Sequence, residues 1–141
     1  MAESILVADV REMRPRFGRI LAGYELAFVG TLEAALRAMH ERSFDLIVIG
    51  VHFDESRMFD LLRHVRLDER HRAKPVVCVR GHFLESSAIS LEGLEIAIKA
   101  TSGNVFLDFV RFTDDAAGDA AIRRIIGGLL RMGGDINPSH V

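Results

Sequence analysis

The chain has one cysteine, almost no net charge and no long apolar run, and each shortage closes off a class of function. Cys78, alone among 141 residues, excludes an intramolecular disulfide and fits a reducing compartment. It stands in the run Val76-Val77-Cys78-Val79 with no base beside it, which predicts a small core residue rather than a reactive thiol. A formal net charge of -2 gives no electrostatic basis for binding nucleic acid or an anionic membrane surface. No apolar stretch is long enough to span a bilayer, and the first residues lack the pattern of a signal peptide. Neither nucleic acid nor membrane is an expected partner, and the expected location is the cytoplasm. Phosphate-binding loops, dinucleotide fingerprints and Ser/His/Asp or Cys/His signatures are missing, so no enzymatic activity and no cofactor is expected. There is no internal repeat and no low-complexity segment.

What is present describes one globular unit. Hydrophobic residues make up 49% and charged residues 27%, enough to build a core without crosslinks. Basic residues cluster within residues 11–19 and 63–74, alternating with apolar positions, and are expected on solvated helix faces. Short apolar runs recur at residues 5–8, 26–29, 46–49, 76–79 and 105–110, rich in Val, Ile, Leu and Phe, as in strands covered on both sides.

Amphipathic stretches separate those runs. Pro15 predicts the start of a first helix. Thr31 reads as an N-cap for a second, whose Leu32, Ala35, Leu36 and Met39 share one stripe. Met58, Leu61, Leu62 and Val65 do the same for a third, and residues 86–100 suggest a fourth. Thr113-Asp114-Asp115 opens a fifth, with Ile122, Ile125, Ile126, Leu129 and Leu130 as its apolar face. Gly127-Gly128 weakens that helix, and the sequence after Met132 predicts a stop and a loose tail. The expected domain covers residues 1–133, with a tail at 134–141.

Five strand-helix units in alternation imply a doubly wound, five-stranded parallel sheet in a three-layer α/β/α sandwich. Ligands bind such sheets beyond the carboxyl ends of the strands, so the residues following each strand carry the functional information.

Those strand ends resemble the receiver domain of two-component response regulators, the CheY-like (βα)5 form of the flavodoxin-like fold. Ser4-Ile5-Leu6-Val7-Ala8-Asp9 is similar to its first strand, Phe44-Asp45-Leu46-Ile47-Val48-Ile49-Gly50 to its third and Lys74-Pro75-Val76-Val77-Cys78-Val79 to its fourth. The resemblance spans residues 3–132 and implies a site of five parts, most of them altered here. Asp9 matches one of two metal-holding acids, and Val10 stands in place of the other. Gly50 occupies the phospho-acceptor aspartate position, Arg80 the Thr/Ser position and Leu107 the lysine position, followed by Asp108. Glycine offers no nucleophile, and the loss of two of three carboxylates removes most affinity for a divalent metal. Leucine cannot stabilise charge on a phosphoryl group. The expectation is a stand-alone pseudo-receiver that binds a signalling protein without being phosphorylated, in bacterial-type signalling. A homodimer through the fourth helix, fifth strand and fifth helix is the expected self-assembly.

Several alternatives remain open from the sequence. Arg80 either pairs with Asp9 or points to solvent. His52 and His82 follow the third and fourth strands and, with a carboxylate, form a zinc-like ligand set, although their spacing is no known motif. The alternative function is thus a flavodoxin-like domain holding a metal or small ligand in the strand-end cleft. Asp54 is a poor substitute acceptor and, with Glu55, is expected to start the third helix. Asp45 lies at the opposite end of its strand. His40, His64 and His71 are expected at the surface. Residues 81–102 are longer than the corresponding receiver segment, and their apolar residues either join the core or enlarge an interaction face. No helix-turn-helix segment remains once the five units are assigned.

Overall fold

The apolar runs become the strands β1 (Ser4–Ala8), β2 (Glu25–Val29), β3 (Leu46–Gly50), β4 (Val76–Arg80) and β5 (Asn104–Asp108) in a computed structural model of the chain. It describes residues 2–81, 96 and 104–135. The strands are parallel and lie in the order β2-β1-β3-β4-β5. Among the described residues, the sheet is flanked by the helices α1 (Arg14–Ile20), α2 (Leu32–Glu41), α3 (Met58–Leu67) and α4 (Ala116–Asp135). This is the expected doubly wound α/β sandwich. The expected helix over residues 86–100 falls outside the described residues apart from Ile96, and so does most of the long segment 81–102.

Strand alternation splits the core into two layers. Leu6, Ala8, Ile47, Ile49, Val76 and Cys78 face α2 and α3, where they meet Met39, Leu61 and Val65. Ile5, Val7, Leu46, Val48, Val77 and Val79 face α1 and α4, where they meet Phe17, Ile20, Ile122 and Ile126. Both layers are apolar, so the central strands β1, β3 and β4 read as unbroken hydrophobic runs. Edge strand β2 is only partly covered. Cys78 is fully buried, and burial pushes its thiol up to about 12, which leaves it inert at neutral pH.

Local signals set the helix starts as expected. Pro15 occupies the first turn of α1. The Thr31 hydroxyl accepts from the Ala34 N–H (3.1 Å) at the head of α2. Asp115 accepts from the Gly118 N–H (2.9 Å) and opens α4; this holds its carboxyl below the ordinary range, with Thr113 adding to the effect.

Four expectations are corrected. Helix α4 continues to Asp135 instead of stopping at Met132, because glycine weakens a helix while keeping its N–H, and the next proline is Pro138. Its residue Ile125 is 37% exposed and lies outside the apolar face. Strand β5 ends at Asp108, not 110, because the Asp108 carboxylate accepts from the Val110 N–H (3.2 Å) and starts a 3-10 turn. His71 is fully buried: its Nε2 accepts from the Phe44 N–H (3.0 Å) and its Nδ1 bonds Asp68.

The basic clusters also do more than cover helix faces. Arg14 stacks on Phe28 and Arg16 on Phe109 (5.7 and 5.0 Å to the ring centres). Arg66 donates to the carbonyls of Arg72 (2.9 Å) and Lys74 (3.0 Å), tying the end of α3 to the start of β4.

Candidate functional site at the carboxyl ends of the strands

The register brings the singled-out positions together at one end of the sheet. Ala8 pairs with Ile49, so Asp9 comes level with Gly50. Gly50 lies beside Val79, Val79 beside Leu107, and Arg80 beside Asp108. A cleft of about 280 Å³ opens there, lined by Asp9, Val10, Glu12, Val51, His52 and Val79, among others.

Gly50 is occupied ground. A β-carbon built on it would stand 1.9 Å from Asp9 Oδ1 and 2.1 Å from Asp9 Cγ. The β1 carboxylate therefore lies in the space that a β3 side chain would fill. Gly81 repeats the arrangement, since a β-carbon there would stand 2.4 Å from the Met13 methyl. Both glycines are covered by side chains from the segment that follows β1.

Asp9 itself is poorly placed for ionic work. It is 6% exposed, and its Oδ1 accepts from the Val10 N–H (2.7 Å). Burial pushes its carboxyl up to about 6; the Val10 N–H opposes that rise and nearby Glu12 adds to it. A divalent cation needs several clustered hard oxygens. Here one carboxylate is desolvated and tied to backbone, and no group of three metal-capable side chains occurs among the described residues. Among the described residues, the donors at the strand ends do not fit the divalent metal that a receiver site requires.

Arg80 neither reaches Asp9 nor runs free into solvent. It forks onto Asp108, with Nε to Oδ1 at 2.9 Å and Nη2 to Oδ2 at 2.6 Å. Asp108 is almost wholly buried, also accepts from Val110, and has Arg111 at 3.7 Å. A planar two-point pair of this kind joins the ends of β4 and β5. Leu107 is 7% exposed and packs in the α1–α4 layer, so the polar residue at the end of β5 is Asp108. Composition gave no signal for this pair, because it depends on strand register.

The turn after β3 is unusual. Asp54, Glu55 and Ser56 hold φ values of 43°, 56° and 69°, three successive non-glycine residues in the left-handed region. The Asp54 carboxylate accepts from the Leu32 N–H (2.8 Å), capping α2 from 22 residues away. It does not start α3, which has Arg57 at its N-cap with no side-chain bond. His52 lines the cleft, whereas His82 lies outside the described residues. Asp45 sits at the other end of β3 and accepts from the Ser4 N–H (2.8 Å).

No family model matches the sequence, and no curated protein matches it. Solved structures do match its shape. A CheY-like response regulator receiver domain protein from Methanospirillum hungatei JF-1 superposes with a TM-score of 0.72 at 15% identity, covering 97% of this chain and 100% of that one. The signal receiver domain of an HD domain-containing protein from Pseudomonas fluorescens Pf-5 gives 0.73 at 17%, covering 96% and 99%. NtrX from Brucella abortus gives 0.66 at 25% identity, with 97% of this chain spanning 30% of that longer protein. The chain has the fold of the CheY-like response-regulator receiver domains.

Proposed function

We propose that this chain is a pseudo-receiver, a protein-interaction module that works without phosphoryl transfer. The observation that carries this reading is the Asp9 carboxylate lying over Gly50. The acceptor position has no side chain, and the remaining acid has taken its space in a buried, proton-favouring setting. The Arg80–Asp108 fork supports the same reading, because the end of β4 is held by a permanent ion pair instead of a hydroxyl that a phosphoryl group would recruit. On this reading the protein is not an enzyme, works in the cytoplasm of a bacterial-type cell, and acts by binding a signalling partner. No helix among the described residues is long and apolar enough to cross a membrane. Self-association through the face of the expected fourth helix (residues 86–100), β5 and α4 is part of the proposal; Val110, just after β5, and Ile125, on α4, are exposed apolar residues.

Acetyl phosphate with magnesium should leave the intact mass unchanged, both for the native chain and for Gly50→Asp. The substituted aspartate meets the Asp9 side chain and, among the described residues, has neither a metal-ligand cluster nor a lysine at the strand ends to assist it. A stable phosphoryl adduct on the native chain overturns the proposal. An adduct on Gly50→Asp alone shows a site one residue from working, and overturns this account of it.

A further inference from the structure

A second groove lies away from the strand-end cleft, between α4 and the turn joining α1 to β2. It measures about 310 Å³ and is lined by Tyr24, Ala120, Arg123, Arg124, Gly127 and Arg131. Arg123 fixes its floor: Nη1 donates to the Ile20 carbonyl (3.0 Å) and the Ala22 carbonyl (2.5 Å), and the guanidinium stacks on Tyr24 (4.9 Å). Arg124 and Arg131 are exposed, and among the described residues neither has a hydrogen-bond or ion-pair partner. The glycines create the room. Arg131 lies over Gly127 and Gly128, 3.5 and 3.8 Å from where their β-carbons would stand.

Arg19, Arg37, Arg42 and Arg63 meet carboxylates elsewhere on the surface, and the exposed Arg11, Arg57 and Arg72 do not line this groove, so the two unpaired arginines are gathered in one concave place. No carboxylate lines this groove. We infer that the α4–Tyr24 groove docks an acidic peptide segment of a partner protein. This inference rests on the pseudo-receiver reading and gives the partner's chemistry. Arg124 and Arg131 stand two helical turns apart, about 10 Å along the axis. That separation suits carboxylates on successive turns or alternate residues of a peptide, each met by a guanidinium fork. It does not suit one small anion. A nucleic acid is disfavoured because the chain carries a net charge of -2 and the groove supplies no extended basic stripe.

The test is fluorescence anisotropy with a labelled oligoglutamate peptide at low salt. Wild-type protein binds it, and the double variant Arg124→Gln/Arg131→Gln binds about tenfold more weakly with an unchanged thermal melt. The charge-matched variant Arg37→Gln/Arg63→Gln, on the opposite face of the sheet, binds as wild type does. Absent binding to wild type, equal weakening by both variants, or tighter binding of an oligothymidylate each overturn the inference. The phosphorylation test is independent of this result: a failure here leaves an unchanged intact mass standing, and a phospho-adduct leaves the groove result standing.

Discussion

At the amino ends of the strands, Asp45 accepts from the Ser4 backbone, and buried His71 uses both ring nitrogens, on Phe44 and Asp68. At the carboxyl ends, Asp9 is buried but accepts one backbone bond, is pushed up to about 6, and borders a turn with three left-handed residues. The contrast separates an end built for stability from an end that carries strain. Strained and desolvated groups collect at functional ends of a fold. On the pseudo-receiver reading, that end keeps its cost with no acceptor carboxylate at Gly50. The exception within it is Arg80–Asp108, where a buried carboxylate is fully paired.

The largest expected effect lies at the quiet end. His71→Ala leaves the Phe44 N–H without its acceptor, removes the partner of Asp68 and opens a void against Phe44. The expected loss is about 3 kcal/mol, read as a lower urea midpoint with an unchanged slope. A loss below about 1 kcal/mol would erase the distinction between the two ends.

Asp9→Asn is expected to move stability the other way. The folded carboxyl titrates at about 6, well above the 3.8 ordinary for aspartate. Between those values the native state holds more protons than the unfolded chain, so this group's contribution declines as pH rises through that window. Above pH 6 the penalty is present in full. Asparagine keeps the acceptor for Val10 and never ionises, so the variant gains about 1–3 kcal/mol at pH 7 and little at pH 4. Denaturant midpoints of both proteins across that range decide it. A constant difference at all pH values would place the cost in packing rather than charge.

The strand and helix assignments were legible because they rest on local periodicity, and Thr31 and Asp115 cap the helices next to them. The receiver-like order of strand ends was legible for the same reason. Side-chain partners across the sheet were not. Arg80 finds Asp108 only through the β4–β5 register, and Asp54 reaches Leu32 because the turn after β3 folds back over α2. His71 looked like a surface group among charged neighbours, yet a single backbone N–H from the next loop makes it a core residue. The sequence shows a glycine at the end of β3. That Asp9 fills its space is a rotamer choice no pattern encodes.

The smallest expected effect tests the strain itself. Ser56 is exposed, holds φ of 69° and is the third residue of the left-handed turn. Glycine occupies that region without the β-carbon contact that costs other residues about 1–2 kcal/mol, but it also raises the entropy of the unfolded chain. The balance for Ser56→Gly is a gain of roughly 0.5 kcal/mol, seen as a small rise in the urea midpoint. Ser56→Ala should give no such gain, because alanine keeps the β-carbon. If both variants behave alike, the turn is not strained at this residue. The cost at the carboxyl end would then rest on Asp9 and on the other two left-handed residues, Asp54 and Glu55.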